Sequence, residues 1–130
     1  MVLCPLCTWE MVITVNEYGI ITKAKEGMNK IRIPKSFQLF GETITVEHRA
    51  DHGQEKGGIG TAQYKQNKIL LQKSTEGDYV EETLMENTYI HELLHFCLED
   101  MGRVKLNDDE EFVTILSGLL HQAFKTAVYE

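Results

Sequence analysis

The chain has 130 residues, of which 42% are hydrophobic and 25% charged, a composition typical of one globular domain. The net charge of -7 is uneven: residues 1–65 carry 8 basic and 7 acidic groups, whereas residues 66–130 carry 5 and 13. Because no basic stripe is available to neutralise phosphates, we expect no nucleic acid as a partner. Apolar runs fall far short of the roughly 20 residues that span a bilayer, so we expect no membrane segment.

The cysteines and the N-terminus indicate the cellular compartment. Cys4, Cys7 and Cys97 cannot all pair, and no secretory leader is visible, so we expect a cytoplasmic protein with reduced thiols. Cys4 and Cys7 have the spacing of half a zinc ribbon, but a structural zinc site needs a second pair of ligands. We therefore predict no structural zinc within a single copy of the chain, and we expect Cys97 to be a core residue.

Short β-prone runs occupy the first half of the chain. Residues 1–27 are predicted to be a hairpin extension of a single domain over 1–130, with strands at 11–15 and 19–24. The run from 51 to 58 contains three glycines and is predicted to be a mobile loop. Further strands are predicted at 43–49, 60–64 and 68–72, and the last two form an antiparallel pair around a short polar turn.

A helix is predicted from Glu81 to Met101, because this run contains neither Gly nor Pro, and Gly102 is its expected stop. Within it, residues 91–95 read His-Glu-Leu-Leu-His. The four-residue spacing places His91 and His95 on one face, one turn apart, so both imidazoles can reach the same ion. Apolar residues recur at helical spacing along the same run: Leu84, Met85, Ile90, Leu93, Leu94, Cys97 and Leu98.

Glu92 follows the first histidine of this motif. Its carboxylate can take a proton from a metal-bound water, which is the general-base role that the motif has in metallopeptidases. The plainer alternative is a buried helix whose two histidines find ordinary hydrogen bonds. Two histidines one turn apart, with a glutamate between them, favour the metal site.

The last segment, from about Asp108, is predicted to be a long, well-buried helix with an acidic, capped start. A catalytic zinc has three protein ligands and an open position for water, so the two histidines need one more donor. We favour Glu110 over Glu111, because Glu110 shares a face with Val113 and Ser117. The predicted apolar face comprises Phe112, Val113, Leu116, Leu119, Leu120, Ala123, Phe124 and Ala127.

The remaining histidines are expected to be surface groups or to lie outside the ligand set. His121 is eleven residues from Glu110, about 16 Å along a helix, so the two cannot bind one ion. His48 falls in a predicted strand, and His52 falls in the glycine-containing loop. Tyr64 and His52 are candidates for stabilising an oxyanion.

The hairpin at 60–72 directly precedes the motif helix. One of its strands could therefore lie along a metal cleft with its outer edge free, where an extended peptide can pair through main-chain hydrogen bonds. The alternative is that the hairpin only covers the core.

Together these segments resemble the small zincin-like metallopeptidases encoded by phages and prophages, distant relatives of the ImmA/IrrE-type and other gluzincin peptidases. The resemblance covers about residues 29–127. Its strand segments are Ile33-Pro34-Lys35-Ser36-Phe37, Leu39-Phe40-Gly41, Thr43-Ile44-Thr45-Val46, Gly60-Thr61-Ala62 and Ile69-Leu70-Leu71-Gln72. Its helical segments are His91-Glu92-Leu93-Leu94-His95 and Asp109-Glu110-Glu111-Phe112-Val113, leading into Leu116-Ser117.

The resemblance implies an α+β, zincin-like fold, with a small antiparallel sheet packed on an active-site helix and a long C-terminal helix. It also implies Zn2+ held by His91, His95 and Glu110, with Glu92 as the base of a metallopeptidase acting on an extended protein or peptide. The first 27 residues lie outside the pattern, and Thr114 stands where some larger gluzincins carry an acidic residue. A catalytically weak or inactive protein-binding module on the same scaffold is the alternative, and the oligomeric state stays open.

Overall fold

The computed structural model describes residues 2–3, 12–15, 17, 21–24, 29–49, 59–75 and 78–129. They form an α+β protein, as the sequence predicts, in which the strands precede the helices along the chain. Three N-terminal strands pair antiparallel in chain order, which confirms the predicted hairpin between the second and the third. They are β1 (Val2–Leu3), β2 (Val12–Val15) and β3 (Ile21–Ala24).

A four-stranded sheet in the order β4-β5-β7-β6 forms the centre of the fold. Its strands are β4 (Ser36–Leu39), β5 (Glu42–Arg49), β6 (Gly60–Gln63) and β7 (Lys68–Gln72). The pairs β4–β5 and β6–β7 are antiparallel, as predicted for the second pair. However, β5 and β7 pair in parallel, so the sheet is mixed and the prediction of an antiparallel sheet is wrong at this position.

Burial explains the mixed order. Three consecutive residues of β7, Ile69, Leu70 and Leu71, are buried, so this strand takes a central position with both faces covered. The more polar β6 takes the edge of the sheet. Strand β6 runs along this edge, and the chain then turns back as β7 between β6 and β5. As a result, β7 runs parallel to β5. A further antiparallel pair, β8 (Ser74–Thr75) and β9 (Asp78–Tyr79), leads to the helices.

Three helices follow: α1 (Glu82–Asp100), α2 (Val104–Asn107) and α3 (Glu110–Thr126). The predicted end of α1 is confirmed, because Gly102 adopts a φ of +71° that L side chains rarely take. The predicted cap of the last helix is also confirmed: Asp109 accepts a hydrogen bond from the Phe112 amide at 3.0 Å. The single turn α2 was not predicted. No helix in the described ranges is long and apolar enough to cross a membrane.

The core lies between the central sheet and α1. It is built from Ile44, Val46, Ile69 and Leu71 of the strands and from Met85, Tyr89, Ile90 and Phe96 of the helix. These side chains are at most 9% exposed. Burial of one such side chain stabilises the fold by about 1.5 to 3 kcal/mol, so α1 is held firmly against the sheet. The histidine motif is therefore carried on a rigid element.

The burial of α3 confirms the predicted apolar face only in part. Val113 is 0% exposed and Leu120 packs half-buried against the core, but Leu119 and Phe124 are 61% and 50% exposed. The buried residues of the helix are Val113, Ser117, Gly118, His121 and Lys125. His121, expected to be a surface group or to lie near the site, is 0% exposed.

A buried ionic cluster explains this orientation. The carboxylate of Glu86 on α1 is 1% exposed and accepts hydrogen bonds from Lys125 Nζ at 2.9 and 3.1 Å. His121 Nε2 lies 3.0 Å from it, and the Ile31 amide donates to it at 3.2 Å. A buried carboxylate is tolerated only with such partners, so α3 turns its polar face inward to supply them.

Candidate metal centre

His91, Glu92 and His95 lie together on α1, each with one ligand atom within 4.8 Å of the others. The two histidine Nε2 atoms are 3.2 Å apart. The imidazole rings meet edge to face, with centroids 4.8 Å apart. The four-residue helical spacing therefore brings one ring nitrogen of each histidine close enough to bind the same ion, as the sequence predicts.

Glu110, the first residue of α3, completes this arrangement. Its Oε1 lies 2.9 Å from His95 Nε2, and its Oε2 lies 3.3 Å from His91 Nε2. In the described part of the chain, the carboxylate that contacts both imidazoles is that of Glu110, the residue favoured over Glu111. The carboxylate is 67% exposed, so it faces solvent on the side away from α1.

The connection between α1 and α3 brings Glu110 back to the histidines. Gly102 ends α1 with a positive φ, and the short α2 reverses the chain within a few residues. The Asp109 side chain then caps the first turn of α3 and fixes where that helix begins. Local turn chemistry therefore returns the first residue of α3 to His95, more than a turn before α1 ends.

Asn107 on α2 contacts Nδ1 of His95, the ring nitrogen that does not face Glu110. Its Oδ1 lies 2.6 Å from His95 Nδ1, and the residue is 8% exposed. An amide oxygen only accepts hydrogen bonds, so His95 carries a proton on Nδ1 and turns Nε2 toward the site, where the neutral imidazole can bind a metal ion. Asn107 Nδ2 donates to Tyr64 Oη and to Glu99 Oε2, each at 3.2 Å.

A positive charge between the two imidazoles and the Glu110 carboxylate is favourable. Glu110 Oε1 lies 2.9 Å from His95 Nε2, so the contact is attractive when that nitrogen carries a proton or binds a metal ion. Burial lowers the pKa of His91 and a charged His95 lowers it further, whereas the charge and the hydrogen bond of Glu110 raise it. A proton and a metal ion therefore compete for this position.

The donor atoms have the chemistry and spacing that suit zinc. Two imidazole nitrogens and a carboxylate are a common ligand set of catalytic zinc. Bonds of about 2.0 to 2.1 Å in a tetrahedron separate neighbouring ligand atoms by about 3.3 Å. The two Nε2 atoms are 3.2 Å apart, and the two oxygens of Glu110 lie 2.9 Å from His95 Nε2 and 3.3 Å from His91 Nε2. The residues present therefore fit a zinc ion.

Glu92 lies beside the three donors and is 7% exposed. Burial raises the pKa of its carboxyl to about 7, with the Glu110 charge also raising it and His95 and a hydrogen bond with the Ala62 backbone lowering it. A carboxyl that titrates near neutral pH can both take up and release a proton there. That behaviour suits a general base.

A cleft of about 740 Å³ opens in front of these residues. One wall is the edge strand β6, and the other is formed by α1 and the start of α3. The contact between β6 and α1 is close: a Cβ at Gly60 would lie 2.5 Å from Thr88 Cγ2 and 3.0 Å from Glu92 Cγ. Gly60 therefore allows the edge strand to approach the motif.

The other candidates occupy different places. Tyr64 and Thr114 line the cleft, whereas His48 is exposed on β5 and His121 belongs to the buried Glu86 cluster. Cys97 is half-buried, so its predicted core position is only partly confirmed. The predictions for Cys4, Cys7, His52 and the loop at 51–58 lie outside the described residues.

Sequence reasoning missed Asn107 and Gly60. Nothing distinguishes Asn107 in the sequence from an ordinary turn residue between two helices. Gly60 is the first residue of a predicted strand, where a glycine can mark close backbone approach, and that signal could have been used.

The chain matches no protein-family model, and neither the curated proteins nor the solved structures contain a match to it. What the site can do must therefore follow from its own donor atoms, their geometry and the cleft in front of them.

Proposed function

We propose that this protein is a zinc-dependent metallopeptidase of the zincin-like type. His91, His95 and Glu110 would hold one zinc ion, and Glu92 would act as general base. The observation that carries the proposal is the convergence of two imidazole nitrogens and the two oxygens of one carboxylate, with contacts of 2.9 to 3.3 Å, next to a buried carboxyl at the edge of an open cleft.

Bound zinc would supply a Lewis acid that polarises a peptide carbonyl and lowers the pKa of water. Glu92 takes a proton from a water molecule while the water oxygen bonds to the carbonyl carbon. The same carboxyl then delivers that proton to the amide nitrogen as the C–N bond breaks. One water is consumed, and the products are a carboxylate and an amine, so no other reactant is required.

The proposed substrate is an extended protein or peptide segment. Strand β6 ends the sheet on the side of the cleft, and Gly60, Thr61 and Ala62 line the cleft. An edge strand offers unpaired main-chain groups to an incoming strand, and small side chains leave room beside the motif. Main-chain pairing depends little on the sequence of the bound segment. We further propose that the protein acts in the cytoplasm.

The test compares wild type with Glu92→Gln. We expect both proteins to bind one zinc per chain, and we expect the variant to cleave an unfolded protein such as reduced casein about 10²-fold more slowly or worse. Zinc stoichiometry is measured after dialysis, and cleavage is measured by the release of new amino termini.

The matched control is Glu81→Gln, because Glu81 is an exposed glutamate just before α1. It should leave both zinc binding and cleavage unchanged. Equal cleavage by wild type and Glu92→Gln would remove Glu92 as the base. Zinc bound without any cleavage would favour the alternative, a protein-binding module on the same scaffold.

A further inference from the structure

A second cavity, of about 400 Å³, lies at the start of α1. Its walls come from the first turns of that helix, from the segment before β4 and from residues near the ends of β5 and β7. Among the described residues, the lining of this cavity shares no member with the lining of the cleft at His91 and His95. Its volume falls in the range of small-molecule sites, so a second ligand can be accommodated apart from the candidate metal centre.

The floor of this cavity is apolar and continues the core. Met85 is 9% exposed and belongs to the core cluster between the sheet and α1. Three half-buried side chains that pack against that cluster complete the floor: Ile31, Ile33 and Val80. Such a surface favours a ligand with an apolar body, because binding removes apolar area from water.

The rim of the cavity is cationic. His48 on β5 pairs in register with the buried Leu71 on β7, and the chain reaches Lys73 two residues later. The Lys73 amide donates to the Arg49 carbonyl at 2.7 Å, so the pairing extends to this position. His48 and Lys73 therefore project from the core face of the sheet, past the start of α1. Arg32 joins them from the segment before β4.

The acidic side chains of the cavity already have cationic partners. Glu82 Oε1 lies 2.8 Å from Lys30 Nζ, and Glu86 Oε1 lies 2.9 Å from Lys125 Nζ. Among the side chains that the structure describes, no ion pair joins an acidic group to Arg32 or Lys73. The rim therefore keeps two positive charges that a ligand can neutralise.

We propose that this cavity binds a small organic anion, with its apolar body on the floor and a carboxylate or phosphate head between Arg32 and Lys73. A guanidinium donates two parallel hydrogen bonds to either head group, and the lysine adds a compact charge. The chain as a whole carries a net charge of -7, so it does not attract anions in general. Binding must therefore depend on these local cations, and it is independent of the proposed peptidase function.

The experiment measures binding of two fluorescent probes to the full chain. Anilinonaphthalene sulfonate carries an anionic head on an apolar body, and phenylnaphthylamine has the same body without the head. The test variant is Arg32→Gln/Lys73→Gln. The matched control is Lys35→Gln/Lys65→Gln, which removes the same charge from two exposed lysines outside the cavity.

We expect wild type to bind the sulfonate, and Arg32→Gln/Lys73→Gln to bind it about tenfold more weakly or worse, because the charge-assisted hydrogen bonds are lost. Binding of phenylnaphthylamine should change less than about threefold, and the control variant should change neither by more than that. In wild type, the NMR signal of the Met85 methyl group should shift on binding, whereas that of the exposed Met101 should not.

Competition identifies the head group. Displacement of the sulfonate by octanoate, by octyl phosphate or by both supports the proposal and shows which head the cavity prefers, whereas displacement by neither overturns it. Equal affinity in wild type and Arg32→Gln/Lys73→Gln also overturns it. Equal losses in the two double variants would trace binding to overall charge, and an unshifted Met85 signal would place the probe elsewhere; either result overturns the proposal, as does a wild type that binds no sulfonate.

Discussion

At the scale of single residues, the site depends on which atoms carry protons. The contact between His95 Nδ1 and Asn107 Oδ1, at 2.6 Å, places a proton on Nδ1, so that Nε2 faces Glu110 and the proposed metal site. A ligand fixed in this way binds metal without first changing its tautomer or its rotamer. We therefore propose that Asn107 orients a metal ligand without itself contacting the metal.

The first prediction concerns this residue. Asn107→Ala should weaken zinc binding by about 10 to 100-fold, because His95 loses the group that orients it and the buried Nδ1 proton loses its acceptor. The dissociation constant is measured by chelator competition on folded protein, with Asp108→Ala, an exposed neighbour, as control. An unchanged zinc affinity in Asn107→Ala would show that His95 is oriented by packing alone.

At the scale of elements, α3 shows that an amphipathic helix does not by itself reveal which face is buried. Leu119 and Phe124 of the predicted apolar face lie outward, whereas Ser117 and His121 lie inward. The Glu86 carboxylate on α1 decides the orientation, because an unpaired buried charge costs more than several exposed apolar side chains.

The second prediction follows from that orientation. Val113→Ala, at a position that is 0% exposed, should lower the free energy of unfolding by about 1 to 3 kcal/mol, because it removes buried methyl groups. Leu119→Gln, at a position that is 61% exposed, should change it by less than about 0.5 kcal/mol. Urea titration measures both. A larger loss in Leu119→Gln than in Val113→Ala would mean that the outer face of α3 is covered in solution.

At the scale of the whole molecule, the buried cluster of Glu86, His121 and Lys125 links α1, α3 and the segment at Ile31. His121 is fully buried, and this burial lowers its pKa, with Lys125 lowering it further and Glu86 raising it. The folded protein therefore favours neutral His121 more strongly than the unfolded chain does. The stability gained from this residue is present above the ordinary histidine pKa of 6.5 and is lost as the pH falls below it.

The third prediction is a weaker acid sensitivity in His121→Gln. Between pH 7 and pH 5 the metal-free wild type should lose more unfolding free energy than this variant. The difference should be at most about 1.4 kcal/mol per pH unit, the limit for one proton. Urea titrations at the two pH values measure it, and His48→Gln, an exposed histidine on β5, should behave as wild type. Parallel pH profiles for wild type and His121→Gln would contradict the assigned direction of the pKa change.

Local sequence patterns determined much of the secondary structure of this protein. The helical run around His91 and His95, its end at Gly102, the Asp109 cap and the hairpin of β6 and β7 could all be predicted. Each depends on residues close together in the chain, whose periodicity or turn chemistry limits the backbone to a few conformations. The approach of Glu110 could also be predicted, because the connection between α1 and α3, residues 101–109, is short, although the helix α2 within it was not predicted.

Contacts between distant residues decided the rest. Asn107 donates to Tyr64, 43 residues earlier, and Lys125 pairs with Glu86, 39 residues earlier. The parallel pairing of β5 with β7 likewise depends on which strand is buried on both faces. No local pattern encodes such contacts, because they exist only once packing brings the elements together and buried polar groups select their partners. The candidate ligands could therefore be identified from the sequence, whereas the side chains that position those ligands were decided by the tertiary structure.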